Sequence, residues 1–170
     1  MTRLTLFIFL YAIVLSNHAS EQITGAFGKL LGDSFEEELE KSAELDSGEI
    51  LYRFQPANPS PMFKRYGVLL TPTTREIVAI WAWISFDRDS RPQCKEDLKV
   101  VEAVLDRKYK QLKTKLDLLI LDGVFYKSGN RRIRLRCTTL SDQLQLIYRD
   151  EEMEEQAILE KAAKIDGASF

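Results

Sequence analysis

The chain has 170 residues, of which 45% are hydrophobic and 29% charged, and its formal net charge is −2 at pH 7. This composition is typical of a globular domain and excludes a disordered or collagen-like chain. The near balance of 24 basic and 26 acidic residues gives no general attraction to nucleic acid, so we expect no nucleic-acid partner.

Residues 1–20 have the pattern of a secretory signal peptide. Arg3 precedes an uncharged apolar core of about a dozen residues, which is shorter than the roughly 20 residues that a spanning helix needs. Small residues follow, and cleavage is expected after either Ser16 or Ala19. We therefore predict an exported protein, periplasmic or extracellular, in which residues 21–170 form a single domain that is not an integral membrane protein.

The N-terminal half of this domain is predicted to contain a short helix followed by three strands. Ser34 and Glu37 stand at capping-box spacing and favour a helix that extends to Leu45. A turn at residues 46–48 and a proline-rich loop at residues 56–61 separate the later elements. The predicted strands cover residues 50–54, 66–70 and 76–86.

The third of these strands is apolar on both faces, which predicts a central strand covered on each side. Strict alternation places one set of side chains on each face. One set contains Ile77, Ala79, Trp81 and Trp83, and the other contains Val78, Ile80, Ala82, Ile84 and Phe86.

The first half is predicted to end with a helix, and the C-terminal half then repeats the order of three strands followed by a helix. Ser90 and Gln93 mark a helix start, and apolar residues then recur at helical spacing as far as Leu112. Residues 116–121 fit either a strand or an extension of that helix. Three strands follow at residues 124–127, 131–137 and 143–149, and Asp150 caps a final helix with an acidic first turn. The order predicts an α+β fold, in which two related strand-strand-strand-helix halves form one antiparallel sheet with both helices packed on one face.

Cys94 and Cys137 are the two cysteines of the chain. In an oxidising compartment such a pair most often forms a disulfide, which here closes a loop of about 43 residues. The alternatives are two buried thiols or a metal site. A metal site lacks histidine ligands, because the sole histidine, His18, lies in the signal segment.

Several catalytic and cofactor sites are excluded by the residue types present. Without a histidine after residue 20, neither a Ser-His-Asp triad nor a Cys-His pair can form. Gly25-x-x-Gly28-Lys29 has neither the spacing nor the hydroxyl residue of a phosphate loop, and Asp87-x-Asp89 lacks the glycine of a calcium loop. We predict no catalytic residue, cofactor or metal. A glycan-directed hydrolase with two carboxylates, and an enzyme inhibitor using the proline-rich loop, remain alternatives.

Two features of the predicted strands are candidates for binding. Arg132, Arg134 and Arg136 alternate with core-facing residues, and a basic ladder of this kind can bind an anionic group. Trp81 and Trp83 share one face of their strand and form a candidate aromatic platform. The alternatives are a solvated face balanced by acids and a tryptophan pair buried under a helix. We expect a non-enzymatic binding or envelope-interaction module, whose partner is an anionic envelope component or another exported protein.

Glycines, turn prolines, core aromatic residues and the cysteine pair occur in a defined order along the chain. They lie at residues 23–28, 52–56, 66–72, Cys94, 108–109, 133–137 and 144–150. This order resembles that of a group of small exported bacterial proteins of unknown function. The shared motifs are structural, so the resemblance implies a periplasmic or secreted bacterial domain and carries over no active residue.

Overall fold

The computed structural model describes residues 22–39, 41–87, 90–114, 123–138 and 142–167. These ranges form ten strands, two α-helices and a 3₁₀ turn at Lys110–Leu112. The helices are α1 (Arg91–Tyr109) and α2 (Glu151–Gly167). The strands are β1 (Gly25–Ala26), β2 (Lys29–Leu30), β3 (Lys41–Glu44), β4 (Ile50–Phe54), β5 (Arg65–Leu70), β6 (Ile77–Ser85), β7 (Lys113–Thr114), β8 (Gly123–Ser128), β9 (Arg131–Thr138) and β10 (Gln143–Asp150).

Eight of these strands form one antiparallel sheet in the order β3-β4-β5-β6-β10-β9-β8-β7, while β1 and β2 form a separate hairpin. The predicted α+β class is confirmed. Each run of four consecutive strands is a meander followed by one helix, and the last strands of the two runs, β6 and β10, pair at the centre. The sequence predicted three strands in each run. It missed β3 and β7 because both are short, polar and exposed, with no buried face to produce an apolar alternation.

The two helices pack on opposite faces of the sheet, so the prediction that both lie on one face is wrong. On β10, Leu146 belongs to the large core that contains Leu105 of α1, whereas the next residue, Ile147, packs with the small cluster around Ala157 of α2. Adjacent residues in a strand point to opposite faces. Because the central strands are apolar on both faces, each face needs its own helix to exclude water. We call these the α1 face and the α2 face.

An irregularity in β6 changes the expected alternation at its first residues. The register with β5 shifts between Leu69 and Leu70. As a result Ile77 lies in the large core and Val78 packs with Ala79 in the α2-face cluster, the reverse of the predicted assignment. A bulge adds one residue to a strand and so exchanges the faces of the residues before it.

The helix predicted to extend to Leu45 does not form. Lys41–Glu44 is strand β3, paired with β4, and Ser34 forms an isolated bridge with Glu76 instead of capping a helix. Phe35 is buried in the large core, and its amide donates to the Arg75 carbonyl at 2.9 Å. Long-range pairing with the end of β6 therefore takes precedence over the local capping signal.

The disulfide and the cap of the last helix agree with the sequence predictions. Cys94 in α1 and Cys137 in β9 form a disulfide with their Cα atoms 6.1 Å apart. Asp150 accepts hydrogen bonds from the amides of Glu152 and Met153, at 3.1 and 3.4 Å, and so caps α2.

Two predictions fall outside the described residues: the signal segment at 1–20 and the ambiguous segment at 116–121. Within the described ranges, neither helix combines the length and the apolar character that crossing a bilayer requires.

Candidate functional site

The register of the central strands brings the tryptophan pair and the arginine ladder onto one face of the sheet. On the α2 face, Trp83 of β6 lies opposite Gln145 of β10, which lies opposite Arg136 of β9. The neighbouring row contains Trp81, Ile147 and Arg134. Adjacent strands are about 4.8 Å apart, so about 10 Å separate the backbone of each tryptophan from that of the arginine in its row. Two features that are distant in sequence therefore form one surface.

Two further arginines lie on the other side of the tryptophans. Arg65 of β5 is opposite Trp83, while Arg53 of β4 is opposite Gly67, the partner of Trp81. Both arginines are exposed. Neither arginine was predicted from the sequence to be part of a site, although the alternation of buried and exposed residues in β4 is the signal that places Arg53 on this face. The aromatic–arginine face comprises Arg53, Arg65, Trp81, Trp83, Arg134 and Arg136.

A chain of amide hydrogen bonds holds the Arg136 side chain in place. Its Nε and Nη2 both donate to Oε1 of Gln145, at 3.2 and 3.0 Å. Gln145 is buried, and its Nε2 donates to Oε1 of Gln143 at 2.9 Å. The glutamine therefore fixes the guanidinium and leaves its charge uncompensated, since an amide is neutral.

The two indole rings are packed against each other at the centre of this face. Their centroids are 5.8 Å apart with an interplanar angle of 54°. Trp83 is buried and Trp81 is partly exposed, so the pair has both a structural and an accessible member. Gly67 lies beside them, and a Cβ there would be 3.5 Å from the Trp83 ring and 3.0 Å from Leu51. Trp83 therefore belongs to the core, and Trp81 contributes part of its ring to the surface.

The arginines of this face have no acidic partner in the described part of the chain. None of the ion pairs formed there involves Arg53, Arg65, Arg134 or Arg136. Arg134 lies with its Cζ 6.0 Å from the ring centroid of Phe125, and its Nε is buried without a hydrogen-bond partner. Burial lowers the pKa of the Arg136 guanidinium, which is the signature of a charge partly removed from water.

Arg132, the third member of the predicted ladder, differs from the other two because it forms ion pairs. Its Nη1 and Nη2 contact Glu151 and Glu154 of α2 at 2.8 and 3.4 Å. The neighbouring Arg131 pairs with Asp150 at 2.8 Å in the same way. Acidic residues at the start of α2 therefore neutralise this end of the ladder, and Arg134 and Arg136 are its uncompensated part.

The carboxyl groups of Asp106 and Glu49 have structural partners. Asp106 accepts from the Tyr126 hydroxyl at 2.6 Å and from Lys113 at 3.0 Å, and the Tyr126 hydrogen bond lowers the pKa of Asp106. Buried Glu49 pairs with Arg149. A glycosidase acid needs a raised pKa, so Asp106 is unsuited to that role. Among the described residues, no group of three or more His, Cys, Asp or Glu side chains is arranged to hold a metal ion.

The proline-rich loop at residues 56–61 is attached to the core at its ends. Pro56 is buried, and the hydroxyl of buried Tyr66 donates to the Ser60 carbonyl at 3.1 Å. Residues 57–59 form an exposed tip. Anchored ends and prolines restrict the conformations of a loop, but such loops are common in domains without an inhibitor role.

A cavity that was not predicted from the sequence lies on the α1 face. It has a volume of about 380 Å³ between α1, the β1–β2 hairpin and the segment before β5. Val100 and Val104 of α1 are exposed at its rim, with 53% and 58% of their surface accessible. Their i,i+4 spacing beside the buried stripe of α1 is the sequence signal that identifies this second apolar strip.

Comparisons with known proteins return no relatives. No protein-family model matches the chain, and neither the curated proteins nor the solved structures include a significant match.

Proposed function

We propose that this protein is an exported, non-enzymatic binding module whose aromatic–arginine face holds an anionic partner. The observation that carries the proposal is a set of four arginines around two tryptophans, with none of the arginines in an ion pair with a described carboxylate. Guanidinium groups bind carboxylate, sulfate and phosphate through parallel charge-assisted hydrogen bonds.

The partner that fits this surface best is an elongated acidic saccharide of the cell envelope. From Arg53 on β4 to Arg134 on β9 the face crosses five strands, which corresponds to about 19 Å. A single inorganic ion occupies only one side of such a surface, whereas a chain of sugars reaches both. The partly exposed ring of Trp81 offers an apolar surface between the two charged sides.

The proposed location is the periplasm or the extracellular space of a bacterium. The pattern of residues 1–20 supports export. The disulfide between Cys94 and Cys137 is compatible with an oxidising compartment. The resemblance to small exported bacterial proteins supports the same location.

Binding to acidic polysaccharides tests the proposal directly. The probes are dextran sulfate and alginate, with neutral dextran as the uncharged control, measured by calorimetry at two salt concentrations. The variant Arg134→Gln/Arg136→Gln should weaken binding of the acidic polymers by about tenfold or more, because each hydrogen bond to a charged group contributes about 1.5–3 kcal/mol. Binding by the unaltered protein should weaken with added salt.

The matched control is Lys99→Gln/Arg107→Gln, which removes the same charge from exposed positions on α1. It should bind as the unaltered protein does. The proposal fails if the unaltered protein binds neither acidic polymer, if neutral dextran binds equally well, or if the two double variants lose the same affinity.

A further inference from the structure

The cavity on the α1 face is lined mainly by apolar side chains from four parts of the chain. Its lining includes Leu105 of α1, Leu146 of β10, Phe27 of the hairpin and Met62 of the segment before β5. Its volume of about 380 Å³ is within the range of small-molecule binding sites, which begins near 300 Å³.

Besides Ser60, the polar side chains that line the cavity are Lys108 and Tyr109 at the end of α1 and Tyr148 of β10. Tyr109, at the end of α1, and Tyr148 of β10 are 3% and 6% exposed, and neither hydroxyl has a hydrogen-bond partner among the described residues. Neither hydroxyl is among the fully buried polar atoms that lack a partner in the described residues, so both reach the accessible surface, where a tyrosine hydroxyl can donate to a ligand. Burial raises the pKa of Tyr148, with a further contribution from Tyr109, so its hydroxyl stays neutral and available to donate.

One charged residue lies at the same end. The ammonium of Lys108 is 4.9 Å from the ring centroid of Tyr109. Lys108 is the sole charged residue among those that line the cavity, and none of them is acidic. The polar end therefore offers two neutral donors and one cation, and an anionic group complements it.

The opposite end of the cavity is apolar and open along α1. Val100 lies nine residues before Tyr109, which corresponds to about 13 Å along the helix axis. Val100 and Val104 are two of six large hydrophobic side chains that are exposed in the described residues. An apolar chain that extends from the polar end would cover both valines.

We propose that this cavity binds a medium-chain fatty acid. The carboxylate accepts hydrogen bonds from the hydroxyls of Tyr109 and Tyr148 and forms an ion pair with Lys108. The acyl chain extends along α1 towards Val104 and Val100. This site is on the face of the sheet opposite to the aromatic–arginine face, so it is independent of the proposed function.

Calorimetric titration with single-chain amphiphiles tests this proposal. The probes are saturated fatty acids from hexanoate to palmitate, with decanol as a neutral head and decylamine as a cationic one. Each added methylene should tighten binding by up to about fourfold until the chain exceeds the length of the cavity. Decanoate should bind at least about tenfold more tightly than decanol, and decylamine most weakly.

Two variant pairs locate the site. Val100→Gln/Val104→Gln should weaken decanoate binding by about tenfold or more, whereas Leu159→Gln, at a position of α2 that is 69% exposed, should leave it unchanged. Lys108→Gln should reduce the preference for decanoate over decanol, whereas Lys110→Gln, at an exposed position two residues away, should preserve it. All four variants change exposed residues, so each should keep the unfolding midpoint of the unaltered protein.

The proposal is overturned if the unaltered protein binds no fatty acid, or if decanol or decylamine binds as tightly as decanoate. It is also overturned if Leu159→Gln loses as much affinity for decanoate as Val100→Gln/Val104→Gln does. The same holds if Lys110→Gln loses as much preference for decanoate over decanol as Lys108→Gln does. Arg134→Gln/Arg136→Gln should bind decanoate normally. Because that variant lacks the arginines of the other face, its behaviour separates a failure of this site from a failure of the polysaccharide site.

Discussion

At the residue scale, the buried side chain of Tyr126 reaches a partner at the margin of the core. Tyr126 is fully buried, yet its hydroxyl donates to Asp106 of α1 at 2.6 Å, and Lys113 holds the other carboxylate oxygen at 3.0 Å. Burial, followed by the hydrogen bond to Asp106, raises the pKa of Tyr126. This contact connects α1 with β8 through an ionised group, so its strength depends on pH.

Tyr126→Phe should lower the free energy of unfolding by about 1–2 kcal/mol at neutral pH. The Tyr126 hydrogen bond holds the pKa of folded Asp106 below its unfolded value, so this stabilisation is complete above about pH 4 and is lost as the pH falls through the lowered value. The difference between the variant and the unaltered protein should therefore shrink in acid, as measured by urea unfolding at neutral pH and at about pH 2.5.

Tyr66→Phe is the control for this pH dependence. The Tyr66 hydroxyl donates to backbone carbonyls of Ser60 and Phe63, which do not titrate. The decrease in the free energy of unfolding caused by Tyr66→Phe should therefore be the same at both pH values. A Tyr126→Phe deficit that does not change with pH would show that ionised Asp106 contributes nothing through this bond.

At the element scale, the disulfide joins the start of α1 to the end of β9. Cys94 belongs to the first turns of the helix and Cys137 to β9, and their separation in sequence is 43 residues. The helix is then held at both ends, because Tyr109 at its C-terminus is buried in the large core. The cavity on the α1 face depends on this placement, since α1 supplies many of the residues that line it.

Replacing both cysteines, Cys94→Ala/Cys137→Ala, should lower the free energy of unfolding by about 3–4 kcal/mol, because the open chain gains entropy when the loop is released. Urea unfolding of the oxidised protein and the variant measures the loss. The oxidised protein should also show no alkylated thiol when it is denatured without reductant. Two alkylated cysteines, or a loss below about 1 kcal/mol, would contradict a stabilising bond.

At the scale of the whole molecule, one sheet separates two different surfaces. The central strands β6 and β10 are paired on both edges and covered on both faces. Each helix covers only part of its face, so the aromatic–arginine face remains beside α2 and the cavity remains beside α1. The same arrangement that gives the molecule its core thus leaves one candidate site on each side.

Amide hydrogen exchange should show a gradient of protection from the centre of the sheet to its edges. Residues 79–83 of β6 and residues 144–148 of β10 should exchange most slowly, because their amides open only with global unfolding. Amides of β3 and β7, at the two exposed edges, should exchange fastest among the strands. Equal protection of edge and centre would indicate that the sheet opens as a unit.

Strong local patterns predicted a large part of this fold. The helical spacing that runs through Leu105 predicted α1, the apolar run ending near residue 86 predicted β6, and Asp150 was recognised as the cap of α2. The prediction of a helix before Leu45 was wrong because Ser34 pairs with Glu76 in the folded chain, and this tertiary pairing overrides the local capping signal. The bulge in β6 was missed since no single residue in that strand marks it.

The candidate sites were predictable as separate parts and not as assemblies. Alternation in β9 was enough to place Arg134 and Arg136 opposite the core, because the side-chain period of a strand is fixed by backbone geometry. The sequence alone likewise determined the class of fold and the cysteine pair. Only the tertiary structure decided that β10 lies between Trp83 and Arg136, that α2 neutralises Arg132, and that the helices cover opposite faces. The physical reason is that strand order, register and ion pairs join residues far apart in the chain, and their energies depend on which surfaces meet after the core has formed.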